Sequence, residues 1–82
     1  MKKLQQMPTF QQIRQQAKTI EGRPITRQDI VALTGLSLGE VYVVDIGGFS
    51  PKRNVQSVLV AFNFLTGHRL TAKDIRYRDA MP

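Results

Sequence analysis

Lys52 and Arg53 stand side by side after Pro51, and Asn54 follows them. Two cations and an amide at this spacing do no covalent chemistry; they suit the holding of an anion such as a phosphate. Arg23 adds a cation in EGRP, residues 21 to 24. The groups that covalent chemistry needs are not assembled. There is no Ser/His/Asp set, no metal-ligand cluster and no phosphate loop, and Asp45-Ile46-Gly47-Gly48 is too short for a nucleotide fingerprint. His68 is the single histidine. It follows Gly67 in an expected loop, where it is expected to be solvated, and one imidazole makes no metal site. The chain is therefore expected to be no enzyme and to use no metal or cofactor.

Charge points the same way. The 82 residues carry 12 basic and 6 acidic side chains, a net charge of +6, and the pI is near 10.4. A small basic protein commonly faces a polyanion, most often nucleic acid, although surplus charge also serves solubility. Residues 1 to 20 hold Lys2, Lys3, Arg14 and Lys18 and no acid; residues 51 to 72 hold Lys52, Arg53 and Arg69 and no acid. Between them, Leu38 to Ser50 carries Glu40 and Asp45 and no base. No apolar run approaches a membrane span. MKKLQQMPTF lacks the apolar core of a secretory signal. With no cysteine, a cytoplasmic protein is expected, with no membrane partner.

The elements that would position these groups follow from spacing and caps. Thr9 caps a first helix with Phe10, Ile13, Ala17 and Ile20 on one stripe, and Gly22 and Pro24 break it. Thr26 opens a second helix with Asp29 in the capping-box position, Ile30 and Leu33 facing inward, and Gly35 at its end. Ser37 caps the next segment. As a helix, it points Val41 and Val44 inward and stops at a left-handed Gly47. From Asn54, apolar residues at 55, 58, 59, 62 and 65 form a helical series that Gly67 ends. Thr71 caps one last turn, AKDIRY, before a ragged tail. A strand reading of 41–46 and 58–64, joined as a hairpin through GGFSPKRN, competes with the helices. It leaves Leu59, Ala61 and Asn63 on a face that is not polar, and the loop is long for a hairpin.

Residues 26 to 51, TRQDIVALTGLSLGEVYVVDIGGFSP, resemble the helix-turn-helix of the Cro and lambda-repressor-like (XRE) family. The elements that match are Thr26 opening helix 2, the turn Gly35 followed by Leu36 and Ser37, the core anchors Val41 and Val44, and then Asp45, Gly47 and Pro51. The likeness extends over about residues 9 to 67, with FQQIRQQAK similar to the family's first helix and the segment ending in Leu65-Thr66-Gly67 similar to its fourth. Arginine stands at position 27 where the family commonly has glutamine, and Val31 where a small alanine is usual.

The resemblance implies an all-α, five-helix domain spanning residues 1–82, with a core of about 9–67 and a short turn and tail over 68–82. It implies a sequence-specific transcriptional regulator of bacterial or phage type, repressor or activator, that binds double-stranded DNA as a homodimer and lays residues 37–46 in the major groove. Ser37, Leu38, Gly39, Tyr42 and Val43 would then meet bases, with Ile46 also outward. Leu38 and Val43 would touch thymine methyl groups. Arg23, Arg27, Gln28, Lys52, Arg53 and Asn54 would meet phosphates. Gly35, Val41, Val44 and Gly47 would be structural, as would a pairing of Arg14 with Asp45. Phe62 with Phe64, or Ile75 with Tyr77, would supply the dimer face. The alternative is a protein-interaction module, a degenerate helix-turn-helix or a mixed α/β domain, that grips a partner through Leu38, Tyr42, Val43 and Ile46.

Overall fold

A computed structural model describes residues 7–80 of the chain. Lys2, Lys3 and the Gln5-Gln6 pair of the basic N-terminal stretch lie outside the described residues. The element order is α1 (Phe10–Gln16), α2 (Arg27–Thr34), α3 (Leu38–Asp45), β1 (Phe49–Ser50), α4 (Lys52–Thr66), a 3-10 turn (Ala72–Asp74) and β2 (Arg78–Asp79).

Local sequence starts these elements in one repeated way. Thr9 with Gln12, Thr26 with Asp29, Ser37 with Glu40 and Thr71 with Asp74 each form a reciprocal capping box. In each, the hydroxyl accepts the N–H three residues on, or for Thr71 also that of Lys73, and the longer side chain reaches back to the cap N–H. Asp29 thus does the work that Glu or Gln usually does. At the other ends Gly35, Gly47 and Gly67 adopt positive φ of 76°, 78° and 81°, as left-handed helix stops require.

The core is one cluster. Phe10 of α1, Ile30 of α2, Val41 and Val44 of α3, and Val55, Val58 and Phe62 of α4 are fully buried. Phe10 and Phe62 meet edge to face at 5.3 Å between centroids, a favoured aromatic geometry. Segments 41–46 and 58–64 are therefore helical, not the arms of a hairpin.

Three sequence expectations need correction. The stripe of α1 stops early, at Ala17. Thr19 N–H donates to Arg23 O at 2.8 Å and Gly22 N–H to Thr19 O at 2.8 Å, so a tight loop begins before EGRP and Ile20 is left 77% exposed. Leu33 is half-exposed because the buried side of α2 centres on Ile30 with Val31 beside it. The fold is not all-α with five helices. The described residues contain four α-helices and a two-stranded parallel sheet, and the expected last helix is a three-residue 3-10 turn.

The chain after that turn is held extended by partners distant in sequence. Ile75 is buried in the core. Arg76 N–H donates to Pro8 O at 2.8 Å, Arg78 N–H to Gly48 O at 3.2 Å, and Ala80 N–H to Ser50 O at 3.0 Å. Phe49 pairs with Arg78 and Ser50 with Asp79. The C-terminal segment is thus bound across the α3–α4 connection rather than frayed.

Candidate nucleic-acid interface

α2 and α3 form a helix-turn-helix. Thr34 Oγ1 donates to Ile30 O at 2.8 Å and accepts the Leu36 N–H at 3.1 Å. Gly35 N–H donates to Val31 O at 3.0 Å. The turn is thereby closed in three residues, Gly35-Leu36-Ser37. Val41 and Val44 then anchor one side of α3 in the core, which turns its other side outward.

Beneath α3 lies a buried ionic cluster. Asp45 is fully buried. Arg14 of α1 grips it with two hydrogen bonds, Nε to Oδ1 at 3.0 Å and Nη2 to Oδ2 at 2.9 Å, and donates its remaining Nη1 to Ile25 O at 2.8 Å. Arg27 of α2 donates Nε to Asp45 Oδ2 at 2.8 Å. A buried carboxylate is tolerable only when paired and hydrogen-bonded in this way. Asp45, one of the two acids in the stretch without a base, thus faces inward and is matched by two cations.

The outward side of α3 presents Leu38, Tyr42 and Ile46, 49%, 45% and 43% exposed, at i, i+4 and i+8. Phe49, 63% exposed, continues beyond the helix. Gly39 is open, since a Cβ there would meet only Ser37 Oγ at 3.9 Å. Val43 is not part of this stripe. It is half-buried over the α3 C-terminus, where a Cβ on Gly48 would come within 3.0 Å of its Cγ1. Ser37 Oγ accepts the Glu40 N–H at 3.1 Å, and Glu40 Oε1 accepts the Ser37 N–H at 2.9 Å. These two polar side chains therefore serve the helix cap first.

Two arginines cover aromatic rings at this surface, and Arg53 stands near it. The Arg27 guanidinium lies over the Tyr42 ring, 4.9 Å from its centroid. Arg78 lies over the Phe49 ring at 5.4 Å. Arg53, in the first turn of α4, attracts Glu40. The Glu40 carboxyl is held below its ordinary pKa chiefly by the hydrogen bond from the Ser37 backbone, with further lowering from the Ser37 side chain, Asn54 and Arg53.

The residues expected at phosphates differ in whether the protein itself already engages them. Lys52 and Arg53 are exposed at the start of α4, and Gln28 is exposed in the first turn of α2. Pro51 gives α4 no side-chain cap, so its first N–H groups are available to an anion. Arg23 is paired with Asp29 at 2.9 Å on the surface. Asn54 is buried and turned toward Glu40, which places it behind the expected phosphate position rather than at it. Phe62 and Ile75, proposed for a dimer face, are core residues; Phe64 remains 72% exposed with Val60 at 68% on the same face of α4. Leu65 O accepts the Ile20 N–H at 3.0 Å, which brings Ile20 alongside. His68 is exposed, and its ring tilts against Phe62 at 5.5 Å.

Sequence reasoning missed the exposed Phe49 and the Arg78 that covers it, next to the end of α3. The two meet through the β1–β2 pairing, and an isolated Phe-Ser or Arg-Asp dipeptide carries no local signal of that.

Among the described residues no helix is long and apolar enough to cross a membrane. Comparison of the chain with protein-family models, with curated proteins and with solved structures finds no match.

Proposed function

We propose that this chain is a sequence-specific DNA-binding transcriptional regulator that lays α3, residues 37–46, in the major groove. The observation that carries the reading is an exposed apolar stripe on one helix face with arginines beside it. Arg27 lies over Tyr42 of α3, Arg78 lies over the neighbouring Phe49 of β1, and the exposed Arg53 stands in the first turn of α4 near Glu40. A groove floor is read by side chains of a helix, while the phosphates on either side of it meet cations at the helix's flanks. An apolar stripe with cations beside it matches that arrangement. The uncapped N-terminus of α4 with Lys52 and Arg53 adds a phosphate position on one side, and Arg27 with Gln28 adds one on the other.

The homodimer is part of this proposal. α4 is 15 residues long, about 22 Å at the helical rise. Its first turn lies beside Glu40 of α3, and Val60 and Phe64 stand about two and three turns further along the helix. A second copy docked there would leave both α3 helices free.

Titration of binding to a mixed-sequence duplex against salt tests the function. Affinity for DNA should fall steeply as salt rises, and the double substitution of Lys52 and Arg53 by alanine should reduce the log–log slope by about 2, one unit for each phosphate that is no longer neutralised. Affinity that ignores salt, or a slope unchanged by the double substitution, would refute the reading. The competing view of a protein-interaction module draws on the same apolar stripe, and the first of those results would favour it.

A further inference from the structure

We infer that the α3 surface recognises the C5-methyl groups of pyrimidines, so that its target is duplex DNA rich in thymine along the groove it enters. The inference rests on the proposed placement of α3 in the major groove and specifies what is read there.

The chemistry of the exposed face carries it. Leu38, Tyr42 and Ile46 are aligned at successive turns of one helix face, and Phe49 is exposed in the strand that follows. The polar groups that would otherwise make base-edge hydrogen bonds are engaged: Ser37 and Glu40 in their capping box, Asp45 in its buried pairing with Arg14 and Arg27. What remains for direct hydrogen bonding in the stripe is the Tyr42 hydroxyl. The major groove displays hydrogen-bonding groups at every base pair but one apolar group, the thymine methyl, which 5-methylcytosine shares. Pressing Leu38 or Ile46 on a cytosine amino group or a guanine carbonyl would desolvate it with no partner. Pressing them on a methyl group buries apolar surface on both sides. Open Gly39, between Ser37 and Glu40, lets the helix approach closely. The arginines beside the stripe complement the phosphates and leave the sequence preference to the stripe.

The test compares duplexes that differ only in that methyl group. Alternating dA-dT and alternating dA-dU duplexes present the same hydrogen-bonding groups; alternating dG-dC and its 5-methylcytosine form make the second pair. Binding is followed by fluorescence anisotropy at low salt. Removing the thymine methyls should weaken binding by about 4-fold for each methyl group the stripe buries, and methylating cytosine should strengthen it. Leu38→Ala and Ile46→Ala, both at exposed positions, should shrink the dT-to-dU ratio while keeping the salt dependence. Equal affinity for the dT and dU duplexes overturns the methyl reading and leaves DNA binding intact. A ratio unchanged in both variants also overturns it, because DNA shape would then account for the preference. Failure to bind any of the four duplexes overturns the DNA-binding proposal and this inference with it.

Discussion

The Arg27 guanidinium is fixed on two sides, by the hydrogen bond from Nε to Asp45 Oδ2 at 2.8 Å and by the Tyr42 ring 4.9 Å away. One side chain from the first turn of α2 thus joins the buried and the exposed sides of α3. Its terminal nitrogens make no hydrogen bond to any described residue, so the planar group is held in place with donors to spare. Such a group loses little conformational freedom when it meets a phosphate.

Arg27→Ala should therefore lower stability by about 2 kcal/mol through loss of a charge-assisted bond and a cation–π interaction. Arg14 still neutralises Asp45, so the buried charge is not abandoned. Arg27→Lys should fall between, since an ammonium has no fork with which to hold Asp45 while lying flat on the ring. Urea denaturation reads the stability series. In DNA binding, lysine should retain the salt slope but lose affinity; equal affinity of the lysine and arginine forms would mean that the fixed geometry is irrelevant.

Gly47 and Gly35 have nearly the same φ, 78° and 76°, yet their surroundings differ. A Cβ at Gly35 meets nothing within 4 Å, whereas at Gly47 it would lie 2.9 Å from the Arg76 carbonyl oxygen. Gly35→Ala should cost roughly 1–2 kcal/mol, the penalty of a left-handed L-residue. Gly47→Ala should cost that and roughly 1–3 kcal/mol more from overpacking. It should also free the C-terminal segment, seen as faster hydrogen exchange at the Arg78 and Ala80 amides. Equal losses in the two variants would show that the C-terminal segment does not press on the α3 terminus.

The contrast between these glycines explains what was legible in the sequence. Gly35, Val41, Val44 and the four capping residues act within a few positions of themselves, and periodicity and cap chemistry report such effects directly. The α4 series from Val55 to Phe62 is equally local. The approach of Arg76 to Gly47, the pairing of Phe49 with Arg78 and the burial of Ile75 join segments far apart in the chain. A two-residue parallel strand has no alternation to recognise, and AKDIRY reads as a helical turn until tertiary hydrogen bonds to Pro8, Gly48 and Ser50 extend it. The extension of helix 1 to Ile20 fails for the same reason in reverse: Thr19 and Arg23 close a loop that outweighs the helical placement of Ile20. At the candidate site, the types of the outward α3 residues were legible. That Arg23 and Asn54 are engaged within the protein was not, because each partnership depends on the folded geometry of another element.

Acid should weaken the fold through Asp29 and Glu40. Both carboxyls sit below their ordinary pKa, each chiefly because of the hydrogen bond from its capping backbone N–H, Thr26 for Asp29 and Ser37 for Glu40. A carboxyl with a depressed folded-state pKa adds stability above its unfolded value, and that contribution disappears as the pH falls through the lowered value. Stability measured by urea should accordingly be level near neutrality and decline below the usual carboxylate range. Asp29→Asn and Glu40→Gln together should flatten that decline. An acid limb that keeps its full slope in the double variant would assign it to other carboxyls.

Phe64 provides the test of the proposed second copy. It is 72% exposed, with Val60 one turn earlier at 68% and Ile20 beside it at 77%, and none of the three belongs to the core cluster. A buried phenyl ring contributes on the order of 150–250 Å² to an interface, so a charge in its place should abolish association across this face. Sedimentation velocity should show a dimer for the unaltered chain and a monomer for Phe64→Glu, with the same circular dichroism spectrum and midpoint of urea unfolding for the folded monomer. Because Phe64 stands about three turns along α4 from the end beside α3, the variant should keep its affinity for a single half-site while losing the gain from two half-sites spaced about one helical turn, near 34 Å. A monomeric unaltered chain at tens of micromolar, or a Phe64→Glu protein that still sediments as a dimer, would remove this face from the proposal.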